Sequence, residues 1–205
     1  SATGVVYQGV YYHGDLRLKV EFPAGWNVRA TASEVFGSEP SGEGKLSARR
    51  SALPSKPQTP EQYMRDTLRR SDIKDGEEFK AGPYDGYWAT IEVNGEVPKL
   101  RKIAVLYKEN DVFVFNGELK DKGDAEVFEQ QFKNMVSSIR PMSADDLRLI
   151  NKQSIALVEA RPGDTYAKLA AAMPIKVDGE ETLRVINGHH PNGEPRAGDL
   201  IKIVQ

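Results

Sequence analysis

Five segments with the pattern of β-strands constrain the fold of this chain more than any other feature. In the first, apolar residues from Leu16 to Phe22 alternate with charged ones, a period of two that turns one face to a core and the other to water. Glycine, asparagine and aspartate separate the segments, as in turns. The five segments are GDLRLKVEFPAGW, KLSARRSAL, GYWATIEV, LRKIAVLYK and DVFVFNGEL. Together they predict an antiparallel sheet.

Two further segments carry the signals of helices that would cover this sheet. Thr59 precedes Pro60, and Gln62 follows three residues after Thr59, which is a capping-box arrangement at a helix start. The second segment, DAEVFEQQFKNMVSSI, has Asp124 as its N-cap. Its apolar residues recur at helical spacing along one stripe: Val127, Phe128, Phe132, Met135, Val136 and Ile139. An α/β sandwich with mostly antiparallel strands is therefore predicted.

The last quarter of the chain has a different pattern. SADDLRLINKQ has Ser143 as N-cap with Asp146 three residues on, which predicts a connecting helix. A strand from Ile155, a helix in GDTYAKLAAAM, a helix capped by Asp178 and a strand in GDLIKIVQ then follow, in the order β-α-α-β. The predicted class is α+β. Its parts are a sandwich domain at 1–141, a connecting helix at 142–153 and a small domain at 154–205.

The composition indicates a folded chain and excludes several classes of function. Hydrophobic residues make up 39% and charged residues 28%, which suffices for a core. The formal net charge of −2 provides no field that would hold a polyanion, so we expect no nucleic-acid partner. With 0 cysteines, the chain has no disulfide, thiolate zinc site or cysteine nucleophile. No run approaches the roughly 20 apolar residues of a membrane span, so we expect no transmembrane segment.

The β-α-α-β region resembles the LysM module from Ile155 to Val204. The resemblance rests on PGDT before the first helix, LRVING at the end of the second and AGDLIKI in the last strand. LysM modules commonly bind glycans that contain N-acetylglucosamine, such as peptidoglycan or chitin, in a shallow groove between two loops. The resemblance implies that the groove is edged by Gly163, Asp164, Thr165, Tyr166, Asn187, Gly188 and His189.

A purely structural interpretation of the same residues stays open. LysM modules that bind glycan often have a bulky side chain two residues after the threonine of GDT, whereas this chain has Ala167 there. Sugar rings are usually gripped by an aromatic face as well as by hydrogen bonds. In the structural interpretation, Asp164 caps a helix, Gly163 turns the chain, and Asn187 with Gly188 ends the second helix.

A second resemblance covers nearly the whole chain. Five segments occur in the order found in the C-terminal region of bacterial envelope zinc metalloproteases of the HExxH type: GVYYHGDLRLKVEFPAGWNV, TPEQYMRDTL, FKNMVSSIRPMSADDL, VEARPGDTYAKLAAAM, and LRVINGHHPNG with AGDLIKIV. In that family a catalytic helical domain precedes a sheet domain and a LysM-like end. The resemblance implies a non-catalytic accessory or substrate-positioning region in the periplasm of the bacterial envelope. Its partners would be its own catalytic domain and protein substrates.

The catalytic chemistry of that family does not come with the resemblance. An HExxH helix holds zinc with two histidines one turn apart and uses the glutamate as base, and this chain has no such motif. Its three histidines are His13 and the adjacent pair His189 and His190. We therefore predict no catalytic residue, metal site or cofactor here, with zinc in a separate catalytic domain of a metalloendopeptidase.

Two alternatives have different functions. In the first, the chain is an envelope binding protein that holds peptidoglycan through its LysM-like end. In the second, the sheet domain, whose strand order and FPAGW turn also resemble the PsbP-like sandwich, binds a partner protein along an edge strand.

Overall fold

The computed structural model describes residues 4–7, 9–13, 18–31, 34–95, 97–146, 155–173 and 179–204. We call the described residues up to 141 the sandwich and those from 155 onward the C-terminal unit. The strands of the sandwich are β1 (Gly4–Tyr7), β2 (Val10–His13), β3 (Leu18–Glu21), β4 (Asn27–Ala30), β5 (Glu34–Ser38), β6 (Gly44–Ser51), β7 (Ile73–Ala81), β8 (Tyr84–Ile91), β9 (Leu100–Lys108), β10 (Asp111–Leu119) and β11 (Arg140–Pro141). Its helices are α1 (Pro60–Gln62), continued by a π-helical turn (Tyr63–Thr67), and α2 (Ala125–Ser137).

Two antiparallel sheets form the sandwich. The larger has the strand order β4-β5-β6-β10-β9-β8-β7, and the smaller has the order β1-β2-β3-β11. Strands β9 and β10 pair along their whole lengths, from Leu100 opposite Leu119 to Lys108 opposite Asp111. The predicted α+β class with antiparallel sheets is therefore confirmed.

Helix α2 and the smaller sheet cover the inner face of the larger sheet. Asp124 caps α2 by accepting a hydrogen bond from the Val127 N–H at 3.1 Å, as predicted. The stripe of α2 packs on inward residues of β6, β9 and β10; its buried members are Phe128, Phe132, Met135 and Val136, with Ile139 just beyond the helix. The placement of Val127 on this stripe was wrong. Its residue is 53% exposed, because each residue turns a helix by about 100° and Val127 lies on the flank.

Helix α1 and its π-helical turn cover part of the outer face. The predicted capping box is present: the Thr59 N–H donates to Gln62 Oε1 at 2.9 Å, and the Gln62 N–H donates to Thr59 Oγ1 at 3.1 Å. The predicted helix is shorter than its pattern, since it widens into the π-helical turn and Arg69 has a φ of +56°. The turn buries Tyr63 and Met64 against outward residues of β8, β9 and β10.

Strand β7 forms one edge of the larger sheet and was missed from the sequence. Its segment IKDGEEFKA is mostly charged and exposed, so it lacks the alternation that indicates a strand. The register shifts between Lys74 and Glu77, and Asp75 has a φ of +53°. A Cβ on Gly76 would lie 1.8 Å from the Tyr87 hydroxyl, so a larger residue at this bulge would force the Tyr87 side chain to move. Charges and a bulge protect an edge against pairing with another strand.

The C-terminal unit has the predicted β-α-α-β order. Its elements are β12 (Ile155–Glu159), α3 (Tyr166–Ala171), α4 (Gly179–Ile186) and β13 (Leu200–Val204). Strands β12 and β13 pair antiparallel. A small core of Tyr166, Met173 and Leu183 lies beneath them. The order of elements does not show the unit to be a LysM module.

The connection between the two parts is described only at its start. Residues 144–146 are helical. The Ser143 N–H donates to Asp146 Oδ2 at 2.8 Å and the Asp146 N–H to Ser143 Oγ at 3.1 Å, which is the predicted capping arrangement. Residues 147–154 and the predicted cap Asp178 lie outside the described residues. The domain boundaries at 141 and 154 stay a prediction.

Candidate functional site

The loop before α3 contains the first predicted groove residues, and they form an ordered turn. Gly163 is exposed and has a φ of +85°, a conformation that glycine adopts without strain. Asp164 accepts a hydrogen bond from the Arg161 N–H at 2.8 Å, so its carboxylate closes the turn. Thr165 is the N-cap of α3 and accepts from the Lys168 N–H at 3.2 Å. The assignment of the helix cap to Asp164 was therefore wrong by one residue.

Tyr166 lies inside the C-terminal unit and is not part of an open surface. Its residue is 0% exposed, and its hydroxyl forms a 2.5 Å hydrogen bond with His189 Nδ1. Its backbone N–H donates to Glu194 Oε2 at 2.9 Å, and the Arg184 guanidinium lies 5.9 Å from the ring centre. Burial, aided by Glu194 and Asp199, raises the pKa of Tyr166 although Arg184 opposes the shift. The ring therefore offers no free face on which a sugar could stack.

Asn187 joins the end of α4 to the last strand. Its side-chain amide donates to the carbonyl groups of Leu183 at 2.9 Å and Lys202 at 2.8 Å, and its oxygen accepts from the Lys202 N–H at 2.7 Å. Gly188 follows with a φ of +74°. The hydrogen bonds that end α4, from the Gly188 N–H to Val185 and from the His189 N–H to Arg184, form a Schellman motif.

The structure thus brings the two predicted edges of the groove together, but through internal contacts. Tyr166 from one edge bonds to His189 from the other, and Asn187 is occupied by backbone groups. Gly163 and Gly188 remain exposed, with Asp164 and Thr165 partly exposed. His189 and His190, although adjacent, face different partners, Tyr166 and Glu181. Apart from the helix cap, which is Thr165 and not Asp164, these contacts match the structural interpretation of the segment.

A second candidate site lies on the outer face of the larger sheet, beside the part that α1 covers. A cleft of about 410 Å³ opens over strands β4, β5, β6, β10 and β9. Cleft side chains of this outer face are Arg29, Phe36, Ser38, Lys45, Ser47, Arg101, Asn116 and Glu118. Lys102 also borders the cleft, but its ammonium lies on the inner face, where it donates to Thr90 at 2.8 Å and Glu129 at 3.0 Å.

The strand register arranges the cleft side chains in two rows. In the first row Arg29 lies opposite Phe36, Phe36 opposite Ser47, and Ser47 opposite Asn116. In the second row Ser38, Lys45, Glu118 and Arg101 lie opposite one another on four neighbouring strands. Neighbouring strands are about 4.8 Å apart, so the residues of the second row lie in a line across the sheet. After Ser38, the charges along this line are positive at Lys45, negative at Glu118 and positive at Arg101.

The charges of the second row are not engaged elsewhere in the described part of the chain. None of the ion pairs between described residues includes Lys45, Glu118 or Arg101. Lys45 and Glu118 are exposed, and Arg101 is partly exposed. The cleft therefore presents two available cations with a carboxylate between them.

At its other end the cleft reaches the C-terminal unit. Arg29 is 3.4 Å from Glu181 Oε1, on helix α4, and the same oxygen is 3.1 Å from His190 Nε2. Arg29 and Glu181 are both solvent-accessible, so this contact is a modest one. It nevertheless links the cleft to the C-terminal unit through a single carboxylate.

Sequence reasoning did not find the cleft, although β9 and β10 contain a signal for it. Along β10 the outward residues change from Val112 and Val114 to Asn116 and Glu118, and along β9 they change from Ile103 to Arg101. Where the outward residues of a strand change from apolar to polar, the element that covers that face ends. Recognising it requires knowing which strands are neighbours, and that order is set by the fold.

No group of three or more histidine, aspartate or glutamate side chains among the described residues is arranged to hold a metal ion. Every helix in the described part of the chain is too short or too polar to cross a lipid bilayer.

Comparisons with known proteins give structural similarities alone. No protein-family model matches the chain, and no curated protein matches it in sequence. Similar solved structures include PsbP from Synechocystis sp. PCC 6803, with a TM-score of 0.47 and 14% identity over 69% of this chain and 96% of that one. A mutant of the protein Mog1 has a TM-score of 0.43 and 11% identity over 69% and 96%. LpqN, involved in cell envelope biogenesis of Mycobacterium tuberculosis, has a TM-score of 0.34 and 13% identity over 62% and 83%. At these values the similarities assign no function.

Proposed function

We propose that the chain is a non-catalytic, substrate-positioning region of a bacterial envelope zinc metalloprotease, located in the periplasm. The observation that carries the positioning role is the outer-face cleft, with Lys45 and Arg101 available for a ligand. The protease context rests on the five ordered segments that resemble the C-terminal region of that family. In this proposal zinc and the catalytic groups belong to a separate domain, and the sandwich holds the polypeptide to be cleaved.

The protease context has a direct test in the coding sequence. We expect an HExxH motif upstream of Ser1, since two histidines one turn apart and a glutamate base are what zinc-dependent hydrolysis requires. An upstream sequence without that motif would overturn this part of the proposal.

The positioning role is tested with the whole protein. Lys45→Glu should raise KM for a folded protein substrate and leave cleavage of a short reporter peptide unchanged, because the short peptide would not reach the cleft. Lys74→Glu on β7 is the matched control, since it makes the same charge change on an exposed residue at the far edge of the same sheet. Equal KM values for the two variants would contradict a positioning role for the cleft.

Peptidoglycan binding by the C-terminal unit is the competing hypothesis, and the exposed loops around Gly163 and Gly188 are the surface it would use. We place it second because Tyr166 is buried and Asn187 is bonded to β13. Retention of the chain by purified cell walls, reduced by Thr165→Ala with the fold intact, would favour it over the first proposal.

A further inference from the structure

We propose that the outer-face cleft binds an extended polypeptide segment whose acidic side chains pair with Lys45 and Arg101. This inference rests on the proposed positioning function and names the class of segment that is positioned. It is argued from the second row of the cleft, in which Ser38, Lys45, Glu118 and Arg101 lie side by side.

The order of charges selects the kind of ligand. Glu118 lies between the two cations, directly opposite each of them across the strands. A uniform polyanion, such as a nucleic acid or a phosphate-rich surface, would place negative charge against Glu118, and like charges at this distance repel. A polypeptide can instead present a carboxylate, a donor and a carboxylate in turn.

The spacing of the row suits an extended segment. Two strand spacings separate the backbones of Lys45 and Arg101, which is roughly 10 Å. On one side of an extended peptide, residues i and i+4 lie about 13 Å apart with residue i+2 between them. The flexible side chains of Lys45 and Arg101 can make up the difference of about 3 Å between these two spacings. An acidic residue at i and i+4 with a basic residue at i+2 therefore matches the row.

The first row gives the segment further contacts. Phe36 is 36% exposed and lies between Arg29 and Ser47, so it offers apolar surface beside polar groups. Asn116 is partly exposed, and its side chain can donate a hydrogen bond to a peptide carbonyl or accept one from a peptide N–H. These neighbours fit a peptide with mixed side chains better than they fit a ligand held by charge alone.

The test measures binding of labelled peptides to the 205-residue chain by fluorescence anisotropy at low salt. The probes are an extended peptide with glutamate at positions i and i+4 and lysine at i+2, its charge-reversed counterpart, an all-glutamate peptide and polyphosphate. We expect the first peptide to bind tightest. Lys45→Ala and Arg101→Ala should each weaken it by about two- to fivefold, the range for one exposed ion pair, and Lys74→Ala should not.

A second variant tests the role of the central carboxylate. Glu118→Gln should raise the affinity for the all-glutamate peptide and leave the fold unchanged, because Glu118 is exposed. The proposal is overturned if the charge-reversed peptide or polyphosphate binds the wild-type chain as tightly as the first peptide. It is also overturned if Lys45→Ala, Arg101→Ala and Lys74→Ala behave alike. Because the isolated chain is used, the result is independent of whether an HExxH motif lies upstream.

Discussion

The larger sheet of the sandwich is packed on its inner face and on part of its outer face, whereas the C-terminal unit has a single small core supported by polar contacts. One side of the larger sheet contributes to a cluster with α2 and the smaller sheet, and the other contributes to a cluster under α1. In the C-terminal unit, Tyr166, Met173 and Leu183 are the buried cluster residues among those described. A small element buries too little apolar surface to order its own backbone, so polar contacts must supply part of the stability.

Those polar contacts in the C-terminal unit converge on Arg184 and Glu194. Arg184 donates to Glu180 at 2.6 Å, to the Gly193 carbonyl at 3.0 Å and to Glu194. Glu194 in turn accepts the N–H of Tyr166, the first residue of α3. A change in apolar volume should therefore affect stability most in the sandwich, and a change in charge or hydrogen bonding should affect it most in the C-terminal unit.

The largest expected effect is in the core of the sandwich. Phe132→Ala should lower the free energy of unfolding by about 3–5 kcal/mol, because it leaves a cavity between α2 and the larger sheet. Denaturant unfolding followed by circular dichroism measures this. Val127→Ala, on the exposed flank of the same helix, should change it by less than about 0.5 kcal/mol. If both variants lower the free energy of unfolding equally, the packing of α2 on the larger sheet is not what stabilises the sandwich.

A smaller and local effect is expected at Asn187. Asn187→Ala removes three hydrogen bonds to backbone groups and should cost about 2 kcal/mol in the local stability of the C-terminal unit. Faster hydrogen exchange at the Lys202 amide is the measurement. Asn192→Ala is the control, since Asn192 lies exposed in a loop of the same unit. Equal acceleration throughout the sandwich would show that the two parts unfold together, and it would contradict a separate stability for the C-terminal unit.

The smallest expected effect concerns pH. The hydrogen bond from the Tyr166 N–H, together with the Arg184 cation, lowers the pKa of Glu194 below its usual 4.5, although burial opposes the shift. A carboxyl group with a lowered pKa stabilises the folded state above its usual pKa, and the contribution is lost as the pH falls through the lowered value.

NMR spectra recorded as the pH falls below 4.5 should therefore show the C-terminal unit losing stability. In Glu194→Gln the unit should be weaker at neutral pH and should lose less stability on acidification. The sandwich has an equivalent in Glu129, whose pKa is lowered chiefly by a hydrogen bond from Lys102. The packed core of the sandwich should keep the sandwich folded over the same pH range. Unfolding of the sandwich and the C-terminal unit at the same pH would contradict this.

Much of the secondary structure was predictable because its signals are local. The capping box at Thr59 and the cap at Asp124 depend on residues three positions apart, and both are present. Strands β9 and β10 have continuous apolar runs at 103–106 and 112–115, where both of their faces are covered. Strand β7 was not predictable from periodicity, since an edge strand with charged side chains leaves no such pattern.

The candidate sites were less predictable than the fold. Tyrosine is a common residue in binding sites, which made Tyr166 a candidate. Its burial, however, depends on α4 and on His189, twenty-three positions away in the chain. The charges of Lys45, Glu118 and Arg101 are unremarkable on their own strands. They become a row when β6, β10 and β9 are placed side by side.

The α+β class, the caps of α1 and α2 and the β-α-α-β order of the last quarter could be predicted from sequence, because these depend on residues close together in the chain. Which side chains are available to a ligand could be seen only in the folded structure. Tyr166 is enclosed and the row of Lys45, Glu118 and Arg101 is open because exposure depends on which elements pack against which faces. That packing brings together residues far apart in sequence.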